Sequence, residues 1–193
     1  SAVGNASYRE EKIMTKTKVA IIGCGTIANS AHGPSYSMNP GVDIAWCVDI
    51  IPERAKALAE KYGDANTKTA TDFKEAIADP EVTCVSLCVP NYLHAPMAIA
   101  CLDAGKHVLC EKPAAMNYQE AVSMKEAADR NNRILNIGVV NRFNTAVNKV
   151  KELIEAGELG EVYHVYCSFR SYRSIPGLGG PFTTKALAGG GVL

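Results

Sequence analysis

A doubly wound parallel α/β sheet is the fold this sequence predicts, and three observations predict it. Between residues 18 and about 140, short β-prone apolar runs alternate with helical stretches. That alternation is the pattern of parallel strands joined by right-handed crossovers, with helices on both faces. The first apolar run feeds a glycine-rich turn, Gly23-Cys24-Gly25-Thr26-Ile27-Ala28, and the second ends in an acid, Asp49. After Arg142 the texture changes to one helix and an alternating segment, which predicts the start of a second α/β domain with an open, mainly antiparallel sheet. The boundaries expected are a leader or expression remnant over 1–14, the parallel domain over 15–141, and the incomplete second domain over 142–193.

Taken in order, Val19 to Ile22 forms the first strand and runs into the glycine turn and a helix. Gly23 permits the tight turn, Gly25 lets backbone N–H groups approach a phosphate, and Ala28 lets the helix pack closely on the strand. The spacing is that of a dinucleotide-binding turn, with phosphate received at a helix N-terminus; a ligand-free structural turn is the alternative. Val42 to Val48 is the second strand. Pro52 to Tyr62 is a helix, with Pro at its start and Gly63 at its end. Thr67 to Ala70 is a short strand, and Thr71 caps a helix that stops at Asp79-Pro80. Val82 to Val89 reads as a strand buried on both faces. Asn91-Tyr92-Leu93-His94 leads into a helix over 95–104, and Lys106 to Cys110 is the next strand. Asn117 and Glu120 form a capping box for a helix to Asn131, and Arg133 to Gly138 is a sixth strand. Val147 to Ala156 is a helix, Glu161 to Arg170 alternates as a half-exposed strand, and Ser171 to Gly180 is a loop.

Lysine plus arginine (20) balance aspartate plus glutamate (20), so there is no basic excess for a nucleic-acid groove or an anionic membrane surface. No secretory signal or long apolar run is seen. The seven cysteines lack C-x-x-C spacing. Cys47, Cys84, Cys88 and Cys110 fall in runs read as buried strands, so they are expected to be small apolar filler, with no metal site and a reducing, cytoplasmic setting.

In a parallel sheet, ligands sit beyond the carboxyl ends of the strands, which singles out the residues after each one. Asp49 is placed to accept from adenosine ribose hydroxyls, or to cap the following helix. A carboxylate there disfavours a 2′-phosphate, since two like charges ~4 Å apart repel by roughly 1–4 kcal/mol. NAD is therefore expected over NADP, with Arg54 the one nearby basic group that softens the choice. After the fifth strand comes Glu111-Lys112-Pro113. Lys112 is suited to hydrogen-bond a substrate hydroxyl, stabilise oxyanion character or, once buried, accept a proton; a solvated lysine bridging to Glu111 is the alternative. The Lys112–Pro113 bond is open to a cis form. His94 orients the helix that follows it or touches the cofactor, and His32, His107 and His164 read as packing or surface residues. Arg142 with Phe143 clamps a ligand or forms a helix-start salt bridge.

Together Gly23 to Ala28, Val89 to His94, Ala104 to Pro113, Asn141-Arg142-Phe143 and Gly189-Gly190-Gly191 make the chain resemble the Gfo/Idh/MocA oxidoreductases, over residues 17 to 193. The run from Ala104 to Pro113 is the most specific part. The resemblance implies an N-terminal Rossmann domain and a C-terminal α/β domain that binds a sugar or polyol and commonly builds a homo-oligomer. It implies Lys112 as the catalytic lysine and Gly23, Gly25, Thr26 and Ile27 as the pyrophosphate turn. Asp49, Ile50 and Arg54 become adenosine-side contacts, and Cys88, Val89, Pro90, Asn91 and His94, with Glu111 and Lys112, line the nicotinamide side. In this family the glycine run continues into D-x-G-x-H, whose histidine serves as proton acceptor, and this sequence stops at Leu193 before either residue. The chain as given is thus expected to hold NAD, to be a poor catalyst, and to expose apolar surface. The expected reaction of the parent is hydride transfer between a sugar or cyclitol carbinol carbon and nicotinamide. An NAD-dependent glycosidase working by transient oxidation, or a dinucleotide-sensing regulator, are the rival readings.

Overall fold

The computed structural model describes residues 16–168, 170 and 183–189. The expected leader, the loop from Ser171 to Gly180, and Gly190-Gly191 lie outside the described residues. The chain divides after Thr83 into two compact units.

In the first unit, β1 (Thr17–Ile22), β2 (Val42–Val48) and β3 (Lys68–Ala70) lie in the order β3-β2-β1, all parallel. The four apolar residues Val19 to Ile22 are all buried, as a strand covered on both faces requires. The β1–β2 register shifts between Val19 and Ala20, an irregularity the alternation of side chains did not reveal. α1 (Gly33–Ser37) precedes β2, and α2 (Pro52–Tyr62) has the predicted limits and buries Ala55 and Leu58, one turn apart on the face toward the sheet. α3 (Phe73–Ala78) is capped not by Thr71 but by Asp72, whose carboxylate accepts the Lys74 N–H at 2.9 Å. Phe73 is the first helical residue, so the cap falls one position later than predicted.

A small cluster closes this unit. The Trp46 indole and the Lys68 ammonium both donate to Asp79 Oδ2 at 2.9 Å, and the Glu81 N–H donates to Oδ1 at 3.0 Å. These donors, Trp46 foremost, hold the Asp79 carboxyl down at about 2. Because the folded value is depressed, the associated stability is present above the ordinary carboxylate range and is lost as pH falls through about 2. Asp79→Ala is expected to cost about 1–3 kcal/mol in urea unfolding at neutral pH and to flatten the acid limb between pH ~4 and ~2. An unchanged midpoint would show that the cluster contributes nothing.

In the second unit, β4 (Cys84–Leu87), β5 (His107–Cys110) and β6 (Leu135–Ile137) are parallel in that order. α4 (His94–Asp103) buries Ala95, Ala98, Cys101 and Leu102, and α5 (Tyr118–Arg130) buries Met124, Ala127 and Ala128. The alanines let these two helices, which contact each other, approach closely. The Asn117 side chain accepts the Glu120 N–H at 2.9 Å as predicted, and Glu120 returns a bond to the Met116 N–H at 3.0 Å.

All seven cysteines are free; Cys47 and Cys110 are buried, whereas Cys84 and Cys88 are only partly so, because Cys84 opens β4 and Cys88 follows its last residue. Burial pushes the Cys101 and Cys110 thiols up to about 12 and Cys88 up as well, so these thiols stay protonated and act as filler.

α6 (Thr145–Glu155) is capped by Asn144, whose side chain accepts from Ala146 and Val147. The strand expected over Glu161 to Arg170 is not formed over 161–168, where Val162, Tyr163, Val165 and Tyr166 are exposed. Alternation alone does not make a strand without a neighbour to receive its N–H and C=O groups, and none is present among the described residues. α7 (Lys185–Ala188) follows. No helix among the described residues is long and apolar enough to cross a membrane.

Candidate functional site

The glycine turn occupies the carboxyl end of β1. Gly23 has φ +89°, a conformation in which a Cβ is strained, and its N–H donates to Val48 O at 2.7 Å. A Cβ on Gly25 would meet nothing within 4 Å, so the missing side chain leaves open space above the turn. That fits a pyrophosphate drawn close to the backbone. Thr26 and Ile27 are exposed on the first helical turn, while Ala28 is fully buried behind it.

Asp49 is 8% exposed, and both of its oxygens hold backbone. Oδ2 accepts the Cys24 N–H at 2.8 Å, and Oδ1 accepts the Ile51 N–H at 2.9 Å. The carboxylate therefore ties the glycine turn to the end of β2. The N-cap of α2 is Ile51, without a side-chain cap bond. Ile50 is 86% exposed beside it. Cys24, Gly25, Thr26, Asn29, Ser30 and Arg54 line one open depression, in which the Arg54 guanidinium is exposed. Asn29 and Ser30 escaped sequence reasoning. Asn29 donates through Nδ2 to Cys24 O and Gly25 O, each at 3.0 Å. The signal available was a polar amide one helical turn beyond Gly25.

In the second unit, Cys88, Val89 and Pro90 follow β4 and are partly buried. Asn91 opens a 3₁₀ turn over Asn91–Leu93 and donates from Nδ2 to Ala188 O at 3.1 Å. Its side chain thereby ties this loop to the end of α7. His94 is 1% exposed, with Nδ1 2.6 Å from Pro113 O and Nε2 2.9 Å from Val89 O. A carbonyl oxygen only accepts, so each contact is a hydrogen bond when the facing nitrogen carries the proton. His94 thus links the loop after β4 to the turn after β5.

That turn carries the lysine. The Glu111 N–H donates to Leu87 O at 3.0 Å, the Lys112 N–H donates to Glu111 Oε2 at 3.3 Å, and the Lys112–Pro113 bond is cis. The Lys112 side chain is exposed, so the burial expected to tune it is not supplied by the described residues. Its ammonium makes no ion pair among them, with Glu111 or any other acid. Arg142 and Phe143 lie in a short 3₁₀ turn, Val140–Phe143; both are exposed, and Arg142 has no acidic partner among the described residues, so the helix-start salt bridge is not formed there.

A parallel-strand glycine turn held by a strand-end acid is the arrangement of a dinucleotide-binding α/β domain. Comparison with known proteins narrows it. Residues 17–139 match the family described as an oxidoreductase family with an NAD-binding Rossmann fold, and residues 147–193 match the Gfo/Idh/MocA C-terminal domain. The chain belongs to the Gfo/Idh/MocA oxidoreductase family.

It is 35% identical over 176 residues to D-glucoside 3-dehydrogenase of Escherichia coli, an alignment covering 91% of this chain and 49% of that enzyme. It is 31% identical over 141 residues to inositol 2-dehydrogenase of Salmonella typhimurium, covering 72% of this chain and 42% of the relative. The crystal structure of the WlbA dehydrogenase from Bordetella pertussis, in complex with NADH and UDP-GlcNAcA, matches with a TM-score of 0.70 and 26% identity, covering 77% of this chain and 42% of that one. The chain thus spans about half the length of the relatives it matches.

Proposed function

We propose that this chain supplies the dinucleotide-binding half of an oxidoreductase that moves a hydride between nicotinamide and the carbinol carbon of a sugar or cyclitol. The observation that carries this reading is Lys112, an exposed ammonium without an acidic partner among the described residues, on a turn braced by Glu111 and by His94. The substrate class rests on relatives whose names specify a glucoside and inositol. A bound nicotinamide dinucleotide supplies the hydride acceptor or donor. Gly23 to Ile27 hold its phosphates, Asp49 fixes the turn and with Ile50 and Arg54 faces the adenosine side, and Lys112 polarises the substrate oxygen and stabilises the charge that develops on it. An unpaired lysine at that place favours catalysis over sensing alone. Residues 142–193 begin a second domain whose open sheet is completed by further strands, a reading supported by the exposed alternating side chains over 161–168 and by the match of 147–193. The free thiols support a reducing cytoplasmic setting.

NAD is the preferred dinucleotide. The chain is expected to bind NADH at least about fivefold more tightly than NADPH, as the like-charge repulsion at Asp49 requires, read by nicotinamide fluorescence on titration. Equal affinities would assign the 2′-phosphate to Arg54 and overturn the preference. Absence of binding by either nucleotide, in this chain and in the complete protein, would overturn the function.

A further inference from the structure

We infer that Tyr62, at the last position of α2, is a positioning residue for the glycine turn, acting through Asn29. This role rests on the proposed binding of pyrophosphate at that turn.

The helix that leaves the turn is not α-helical throughout. Residues Ala28–His32 form a π-helical stretch, and the Gly33 N–H donates to Ala28 O, five residues back. The next carbonyl in the ladder, Asn29 O, would take its donor from residue 33 or residue 34. Gly33 has spent its N–H on Ala28, and residue 34 is proline, which has none. Asn29 O is therefore left without a donor from the backbone of its own helix. The Tyr62 hydroxyl supplies one, at 2.8 Å. A buried or partly buried carbonyl deprived of a partner is costly, so this bond decides where Asn29 sits.

Asn29 is also the residue that grips the turn. Its backbone N–H donates to Gly25 O at 3.1 Å, and its Nδ2 donates to Cys24 O and Gly25 O at 3.0 Å. The two carbonyls of the turn are thus held toward Asn29, while the N–H groups of Gly25 and Thr26 take no part in those bonds. Tyr62 can reach this place only because residue 33 is glycine. A Cβ there would lie 2.5 Å from Cδ2 of the Tyr62 ring and 3.0 Å from Cε2, closer than carbon atoms approach. Four residues, Asn29, Gly33, Pro34 and Tyr62, form one strut from α2 to the turn.

The test compares ligands with and without a pyrophosphate on the full chain. Tyr62→Phe deletes only the hydroxyl. It is expected to weaken NADH and ADP-ribose about three- to tenfold, the effect of one neutral hydrogen bond, while adenosine, followed by NMR shift titration, binds as before. Gly33→Ala, which displaces the Tyr62 ring, is expected to produce the same ligand pattern. Equal loss for all three ligands in Tyr62→Phe would assign the tyrosine to general stability, and unchanged ADP-ribose affinity would show that the strut does not reach the turn; either result overturns the inference. Failure of the unmutated chain to bind ADP-ribose would instead overturn the pyrophosphate reading on which the role rests, and the role with it.

Discussion

Lys112→Ala in the complete enzyme is expected to lower turnover about 10²–10⁴-fold, the range associated with losing a group that stabilises or transfers charge at the reacting centre. NADH affinity and folding stability should be almost untouched. The side chain is exposed and makes no ion pair among the described residues, and its local bond to Glu111 uses the backbone N–H, which alanine keeps. Surface replacements of this kind usually stay within about 0.5 kcal/mol. Lys112→Arg is the informative companion. It retains charge but replaces a compact ammonium with a planar fork, so it should recover substrate binding better than turnover. The measurement is kcat and KM for a glucoside or inositol with NAD, beside an NADH titration. Full turnover in Lys112→Ala would end the catalytic assignment.

Asp49→Ala should act on stability and binding together. Both carboxylate oxygens accept backbone N–H groups, from Cys24 and from Ile51, at a residue only 8% exposed. Alanine leaves both donors without a partner, at a cost of about 2–4 kcal/mol in total. Asp49→Asn is not a mild substitute: its carbonyl oxygen serves one N–H, but its amide presents a donor to the other. Urea unfolding and NADH titration on the same variants check this. If Asp49→Ala loses NADH affinity with no change in stability, the carboxylate serves the ribose alone and does not clasp the turn.

How much of this was legible in the sequence depended on whether the determinant was local. The parallel pairing within each unit follows from alternation of strand and helix, and the limits of α2 follow from Pro52 and Gly63. The capping box at Asn117 and Glu120 also showed as residue types at fixed spacing. Asp49 was legible as a residue that mattered, but its two backbone bonds depend on bringing the ends of β1 and β2 side by side. The Thr71 and Asp72 ambiguity is of a different kind, since adjacent residues both make good caps and the first helical residue decides between them. The alternation of 161–170 read as a strand because periodicity records which side chains want burial, not whether a neighbouring strand is there to pair. Asn29 and Tyr62 were illegible because their connection arises from a π-helical insertion and from a proline whose effect falls on a carbonyl five residues earlier.

The close fit between Gly33 and the Tyr62 ring has a consequence for how this sequence can change over generations. Positions 33 and 62 do not vary independently: a side chain at 33 displaces the Tyr62 ring unless 62 has become small, and a small residue at 62 abandons the carbonyl of Asn29. Either single step breaks the Tyr62–Asn29 bond, and the other then adds little to the loss, so the two effects are not additive although the residues are far apart in the chain. The pair is expected to be inherited as a unit, and with it the shape of the turn it supports.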